Sequence, residues 1–250
     1  MKTKLFKLLL IIFISTHITH CDKSDDSVNI GESAEIEETK DFIFYPSKNN
    51  STVGFIFYPG ALIASSAYSD WHQLLAAEDV NVFSIKFPSN LAFFDINAAL
   101  RVIRQHPDIT SWYLGGHSLG GAMALQLISK PPNYNLVKGI VLFGAYPGSN
   151  VDFSQKDLQV LTLYGSKDGV STIEEIVAGK SRMPTSLEIV STTELLDTNY
   201  TSFYKKIEGG NHSNFGNYNF QKGDSVATIS REVQQQIMVE YTKSFISSRK

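Results

Sequence analysis

Trp112-Tyr113-Leu114-Gly115-Gly116-His117-Ser118-Leu119-Gly120-Gly121 runs from a short apolar, aromatic-rich segment through a glycine-flanked serine into a helical pattern. The apolar run Trp112-Tyr113-Leu114 has the composition of a buried strand. From Leu119 to Lys130 apolar residues recur at helical spacing (Leu119, Met123, Leu127), and the pattern ends before Pro131-Pro132. A strand, a sharp turn and a helix would hold the Ser118 hydroxyl exposed at the turn. A serine becomes a useful nucleophile only when it is presented in this way beside a base. The glycines two residues before and after it allow strand and helix to approach without Cβ clashes.

Outward from this turn, strands and helices alternate. The pattern predicts strands at 41–45, 53–58, 81–87, 137–143, 159–164 and 203–207. Helices are expected at 68–78, 95–105, 171–180 and 230–245. This is the order of an α/β protein with a mostly parallel sheet and helices on both faces. A chain of 250 residues suits one such domain, placed here at 41–250. The connection between Phe143 and Gln159 is short and contains Pro147, Gly148 and Asn150. It leaves no room for a lid domain, so an open site is expected.

Six histidines are candidates for the base. His17 and His20 fall in the N-terminal segment. His72 and His106 lie in or at the end of predicted helices and read as surface or helix-end residues. His117 adjoins Ser118, cannot fold back onto its hydroxyl, and reads as a packing residue. His212 remains, in Glu208-Gly209-Gly210-Asn211-His212, directly after a predicted strand, where sheets of this type place their functional groups. The acid should lie between Ser118 and His212, also after a strand. Asp168, following Val160–Tyr164 in the turn Gly165–Gly169, fits better than Asp152, Asp157, Glu174 or Glu175. Its role would be to hold the imidazole in one tautomer and stabilise its charged form. Backbone N–H groups of Leu119 and of Ala61, with Leu62 the second choice, would stabilise an oxyanion. Phe87, Leu91 and Phe93 are candidates for an apolar substrate wall, and core packing is the alternative for the two phenylalanines.

With these residues placed, the chain resembles an α/β-hydrolase, and in particular the small bacterial fold-5 group related to dienelactone hydrolases. The resemblance covers residue 41 to the end. It rests on Tyr58-Pro59-Gly60, Phe87–Ala92, Gly116–Gly121, Tyr164–Gly169, Gly209–His212, Phe215–Tyr218 and Gly223-Asp224. It implies an α/β-hydrolase fold with Ser118, Asp168 and His212 as a catalytic triad. Ala61-Leu62 stands where such relatives usually carry another glycine. The expected reaction is hydrolysis of a small carboxylic ester, lactone or thioester through an acyl-enzyme, without cofactor. A catalytically silent binding lipoprotein and an acyltransferase using the same triad are the competing readings. The complete Ser118–Asp168–His212 set favours an enzyme.

The net charge of −3 is concentrated at the N-terminus. Setting aside the five basic and seven acidic residues of the first forty leaves 17 basic against 18 acidic. A nearly neutral body argues against nucleic acid as a partner. No cluster with metal-ligand spacing occurs. Residues 1–20 read as an export signal: Lys2, Lys4 and Lys7 precede the apolar core Leu8–Ile18. Cys21, the only cysteine, follows at once and resembles a bacterial lipidation site, although His20 occupies the position where a small residue is usual. Residues 21–40 read as an acidic tether. The protein is therefore expected to be exported and anchored to a membrane through Cys21, in the periplasm or at the cell surface. Plain secretion is the alternative.

Overall fold

The computed structural model describes residues 35–249. The expected export signal (1–20), Cys21 and the tether as far as residue 34 lie outside the described residues.

Nine strands form one sheet: β1 (Glu37–Glu38), β2 (Phe42–Tyr45), β3 (Val53–Tyr58), β4 (Asn81–Ile85), β5 (Ser111–His117), β6 (Gly139–Phe143), β7 (Val160–Gly165), β8 (Ser186–Glu188) and β9 (Ser202–Ile207). Their order is β1-β2-β4-β3-β5-β6-β7-β9-β8. Pairing is antiparallel for β1 with β2 and for β2 with β4, and parallel throughout the rest. Among the described residues five α-helices complete the fold: α1 (Ser69–Ala77), α2 (Ala98–Gln105), α3 (Leu119–Ile128), α4 (Ile173–Gly179) and α5 (Arg231–Ser247).

Central strands buried on both faces are mostly apolar, and the side-chain period of two divides them between two cores. In β3, Val53, Phe55 and Phe57 point to one face, where Trp71 and Leu75 of α1 and Met238, Tyr241 and Phe245 of α5 cover them. Ile56 and Tyr58 point to the other, beneath Ala99 and Val102 of α2 and Leu125 and Ile128 of α3. Helices thus cover both faces, as the alternating pattern predicts. The connection from β6 to β7 contains neither helix nor strand.

The departures from expectation are local. Glu37–Glu38, inside the expected tether, pair with Ile43 and Phe44 and so belong to the sheet. The sequence predicts no strand at β8, because a three-residue edge segment, two residues half-buried and one exposed, carries no periodic signal. His72 is not a surface residue: its ring is fully buried against Trp71, at 4.0 Å between centroids, and against Phe57 at 4.8 Å. His106 does sit at the end of α2, half-buried.

Candidate active site

The expected strand, turn and helix are present as β5, Ser118 and α3. Ser118 is the residue before the first helical one, a position where serine ordinarily caps the helix with its hydroxyl. Here its backbone is strained (φ 53°, ψ −126°) and its side chain caps nothing. Such a conformation, uncommon for a residue other than glycine, is the kind that a tight strand-to-helix turn imposes. The turn is held by the Ser118 N–H donating to the Phe143 carbonyl at 3.0 Å. Gly120 is required because a Cβ there would collide with the Tyr58 and Pro59 carbonyls of the loop after β3.

Asp168 and His212 meet across the ends of β7 and β9. His212 Nδ1 is 2.8 Å from Asp168 Oδ2, and both side chains are closed to solvent. The second carboxylate oxygen accepts the N–H groups of Val170 (2.9 Å) and Ser171 (2.7 Å), so Asp168 is fixed from both sides. Gly144, with φ 49°, passes beside the pair, and a Cβ there would lie 2.9 Å from Asp168 Oδ2 and 3.1 Å from His212 Nδ1. With Nδ1 engaged, His212 Nε2 is buried and has no hydrogen-bond partner among the described residues. An imidazole in that state can accept a proton at Nε2.

His117 links this pair to the serine. It precedes Ser118, and its ring centroid lies 4.4 Å from that of His212. Its Nδ1 is 2.9 Å from Tyr68 Oη, and the same oxygen accepts the Gly60 N–H at 3.0 Å. Burial pushes the Tyr68 phenol up, so it keeps its proton and donates it to His117. That leaves the His117 proton on Nε2. Burial, and secondarily the neighbouring His212, hold the His117 pKa well below its ordinary value, so the ring is neutral. His117 is therefore a packing residue, as expected, and also an anchor for the Pro59–Ala61 loop.

That loop follows β3 beside the start of α3. The Leu119 N–H, at the first turn of a helix, has no intrahelical partner. Ala61 is exposed, and its N–H bonds to none of the described residues. Leu62, the second choice, is excluded as an oxyanion donor because its N–H is given to the Asn90 carbonyl at 2.8 Å. Of the expected substrate wall, Phe87 belongs to the core, edge-on to Tyr58 at 4.8 Å, which is a correction. Leu91 is half-buried and Phe93 is exposed.

Two residues in supporting positions escaped assignment from the sequence. Tyr68 gives no signal there, since it reads as the start of a helix. Asp224 carries no sequence signal beyond its place in Gly223-Asp224. Its carboxylate accepts the N–H groups of Gly169 (3.1 Å), His212 (3.2 Å) and Ser213 (2.8 Å) and the Ser213 hydroxyl (2.7 Å). It thereby ties the acid loop to the histidine loop. Burial alone would raise its pKa, but these hydrogen bonds outweigh it and hold the acid below its ordinary value.

Residues 54–236 match the model of the alpha/beta hydrolase family. The structure is similar to the esterase domain of a Rhodothermus marinus protein (TM-score 0.56, 13% identity, 82% of this chain and 90% of that one). It is also similar to a soluble variant of monoglyceride lipase from Saccharomyces cerevisiae (TM-score 0.59, 9% identity, 86% of this chain and 94% of that one). At these identities the likeness is one of fold. No curated protein matches the sequence.

Proposed function

This chain belongs to the alpha/beta hydrolase family, and from that premise we propose that it is a serine esterase acting on small carboxylic esters through an acyl-enzyme on Ser118. His212 Nε2 takes the proton as Ser118 Oγ attacks the carbonyl carbon. Asp168 holds the imidazole and balances the charge it gains. The tetrahedral oxyanion is met by the N–H groups of Leu119 and Ala61. His212 returns the proton to the departing alcohol, then activates the water that releases the acid.

The observation that carries this reading is the buried 2.8 Å Asp168–His212 pair beside a serine whose strained backbone spares its hydroxyl from capping. The open β6–β7 connection supports a preference for short acyl groups, because nothing there could close over a long chain. Leu91 and Phe93 supply the acyl wall. A chain-length series of p-nitrophenyl esters tests this: kcat/KM peaks at acetate or butyrate. A maximum at decanoate or longer would contradict it.

Export, and anchoring to a membrane by a lipid on Cys21, complete the proposal. Cys21 lies directly after the apolar core of the leader, and the chain has no second cysteine with which it could pair. Mass spectrometry of protein from the native host should find a lipid-modified Cys21 at the N-terminus. Cleavage beyond Cys21 would refute it.

A further inference from the structure

Backbone strain gathers at one place in this molecule. Among the described residues six non-glycine positions have positive φ, and four of them lie around the site: Ser118, Leu62 (62°), Ser89 (52°) and Asn90 (54°). The last three meet at a single hydrogen bond, from the Leu62 N–H to the Asn90 carbonyl at 2.8 Å. The bond joins the loop after β3 to the turn after β4. Its result is an aliphatic side chain, 72% exposed, beside the oxyanion donor Ala61. Strain of this kind persists only where the surroundings impose it, and it concentrates at ligand-contacting positions. An exposed leucine in a left-handed conformation contributes nothing to packing that glycine would not contribute at lower conformational cost.

Leu62 borders a depression of about 480 Å³, between residues 62–67 and 217–219. The volume falls within the range of small-molecule sites. One wall is apolar, with Leu62, Ile63 and Ala67. The polar lining includes the exposed Ser66 on the same segment and Asn219 on the other. No charged side chain lines it. The 217–219 segment follows the base closely, and Tyr218 Oη donates to the His212 carbonyl at 3.1 Å. The departing alcohol must lie on the His212 side, because that imidazole protonates its oxygen.

We propose that this depression is the leaving-group subsite, that it takes an uncharged, hydroxyl-bearing alcohol, and that Leu62 is its specificity residue. The proposal rests on the esterase reading. In the step concerned, the bond from Ser118 Oγ to the acyl carbon forms and the bond from that carbon to the alcohol oxygen breaks. The proton that His212 took from Ser118 passes to that oxygen. The carbon skeleton of the alcohol packs on Leu62, and its remaining hydroxyls bond to Asn219 and Ser66.

Acetate esters that share the acyl group and differ in the alcohol test this by pH-stat titration: glycerol monoacetate, methyl acetate, acetylcholine and acetoxyacetate. The parent enzyme should favour glycerol monoacetate over methyl acetate by about 10-fold or more in kcat/KM, and over both charged esters. Leu62→Gly relieves the strain, so its thermal midpoint should not fall, yet the glycerol-to-methyl ratio should collapse to about twofold. Ala64→Trp, at an exposed position, fills the depression and should collapse the same ratio. A parent without the preference, or variants that keep it, would overturn the subsite. Hydrolysis surviving in Ser118→Ala would instead refute the underlying esterase reading.

Discussion

Asp168 Oδ2 and His212 Nδ1 lie 2.8 Å apart with both side chains fully buried, although 44 residues separate them in sequence. The carboxylate accepts at Nδ1 and so directs the free lone pair to Nε2. Asp168→Asn replaces this acceptor with an amide that can present a donor, favouring the wrong tautomer. The variant should lose roughly three to four orders of magnitude in kcat. His212→Ala, which removes the proton carrier itself, should lose more. Equal rates in His212→Ala and the parent would reject the scheme.

Tyr68 ties the loop that leads into Ala61 to His117, through the Gly60 N–H at 3.0 Å and His117 Nδ1 at 2.9 Å. In Tyr68→Phe the Gly60 N–H and His117 Nδ1 both lose their partner, at about 1–3 kcal/mol for each buried group left unpaired. Because Ala61 is the next residue, kcat should fall about 10-fold while KM stays within about twofold. An unchanged kcat would show that the loop is held by other contacts.

Asp224 is predicted to act through position. Asp224→Asn places a donor against the Ser213 N–H and hydroxyl, and should cost about 1–3 kcal/mol of stability. Misplacing His212 should lower kcat about 10- to 100-fold. Since the folded-state pKa is depressed, the stabilisation is complete above the unfolded carboxyl value of about 4 and is lost as pH falls below it. Urea unfolding between pH 3 and 5 should show a smaller loss in Asp224→Asn than in the parent.

The buried histidines carry the opposite origin but the same direction. Burial depresses both His72 and His117 well below the ordinary 6.5, so neither binds a proton in the folded state near pH 6. The unfolded chain does bind it. Stability is therefore full above pH 6.5 and falls below it, by about 1.4 kcal/mol per pH unit for each histidine. His72→Leu should flatten roughly half of that slope, since neither His72 nitrogen has a hydrogen-bond partner among the described residues. An undiminished slope would mean that other groups drive the acid sensitivity.

Legibility from sequence followed the physics of each element. Strands β3, β5, β6 and β7 are apolar because both of their faces are covered, and such runs can be read directly. Ser118 is marked by glycines that its turn requires, and His212 and Asp168 by their places after strands. Tyr68 and Asp224 could not be assigned, because their importance lies in contacts between loops distant in sequence. His72 misled for a related reason: a histidine in a helix carries no mark of which face it occupies until Trp71, Phe57 and Tyr45 surround it. Phe87 was undecided between core and wall, and only its packing on Tyr58 separates the two.

The proposed esterase chemistry requires Ser118 to be an activated nucleophile. Labelling the full-length protein with a fluorophosphonate, followed by peptide mapping, tests it most directly. One adduct is expected, on Ser118, with labelling abolished in Ser118→Ala while the thermal midpoint is nearly unchanged, because the substitution removes a hydroxyl that caps nothing. An adduct on another residue, or full labelling of Ser118→Ala, would contradict it.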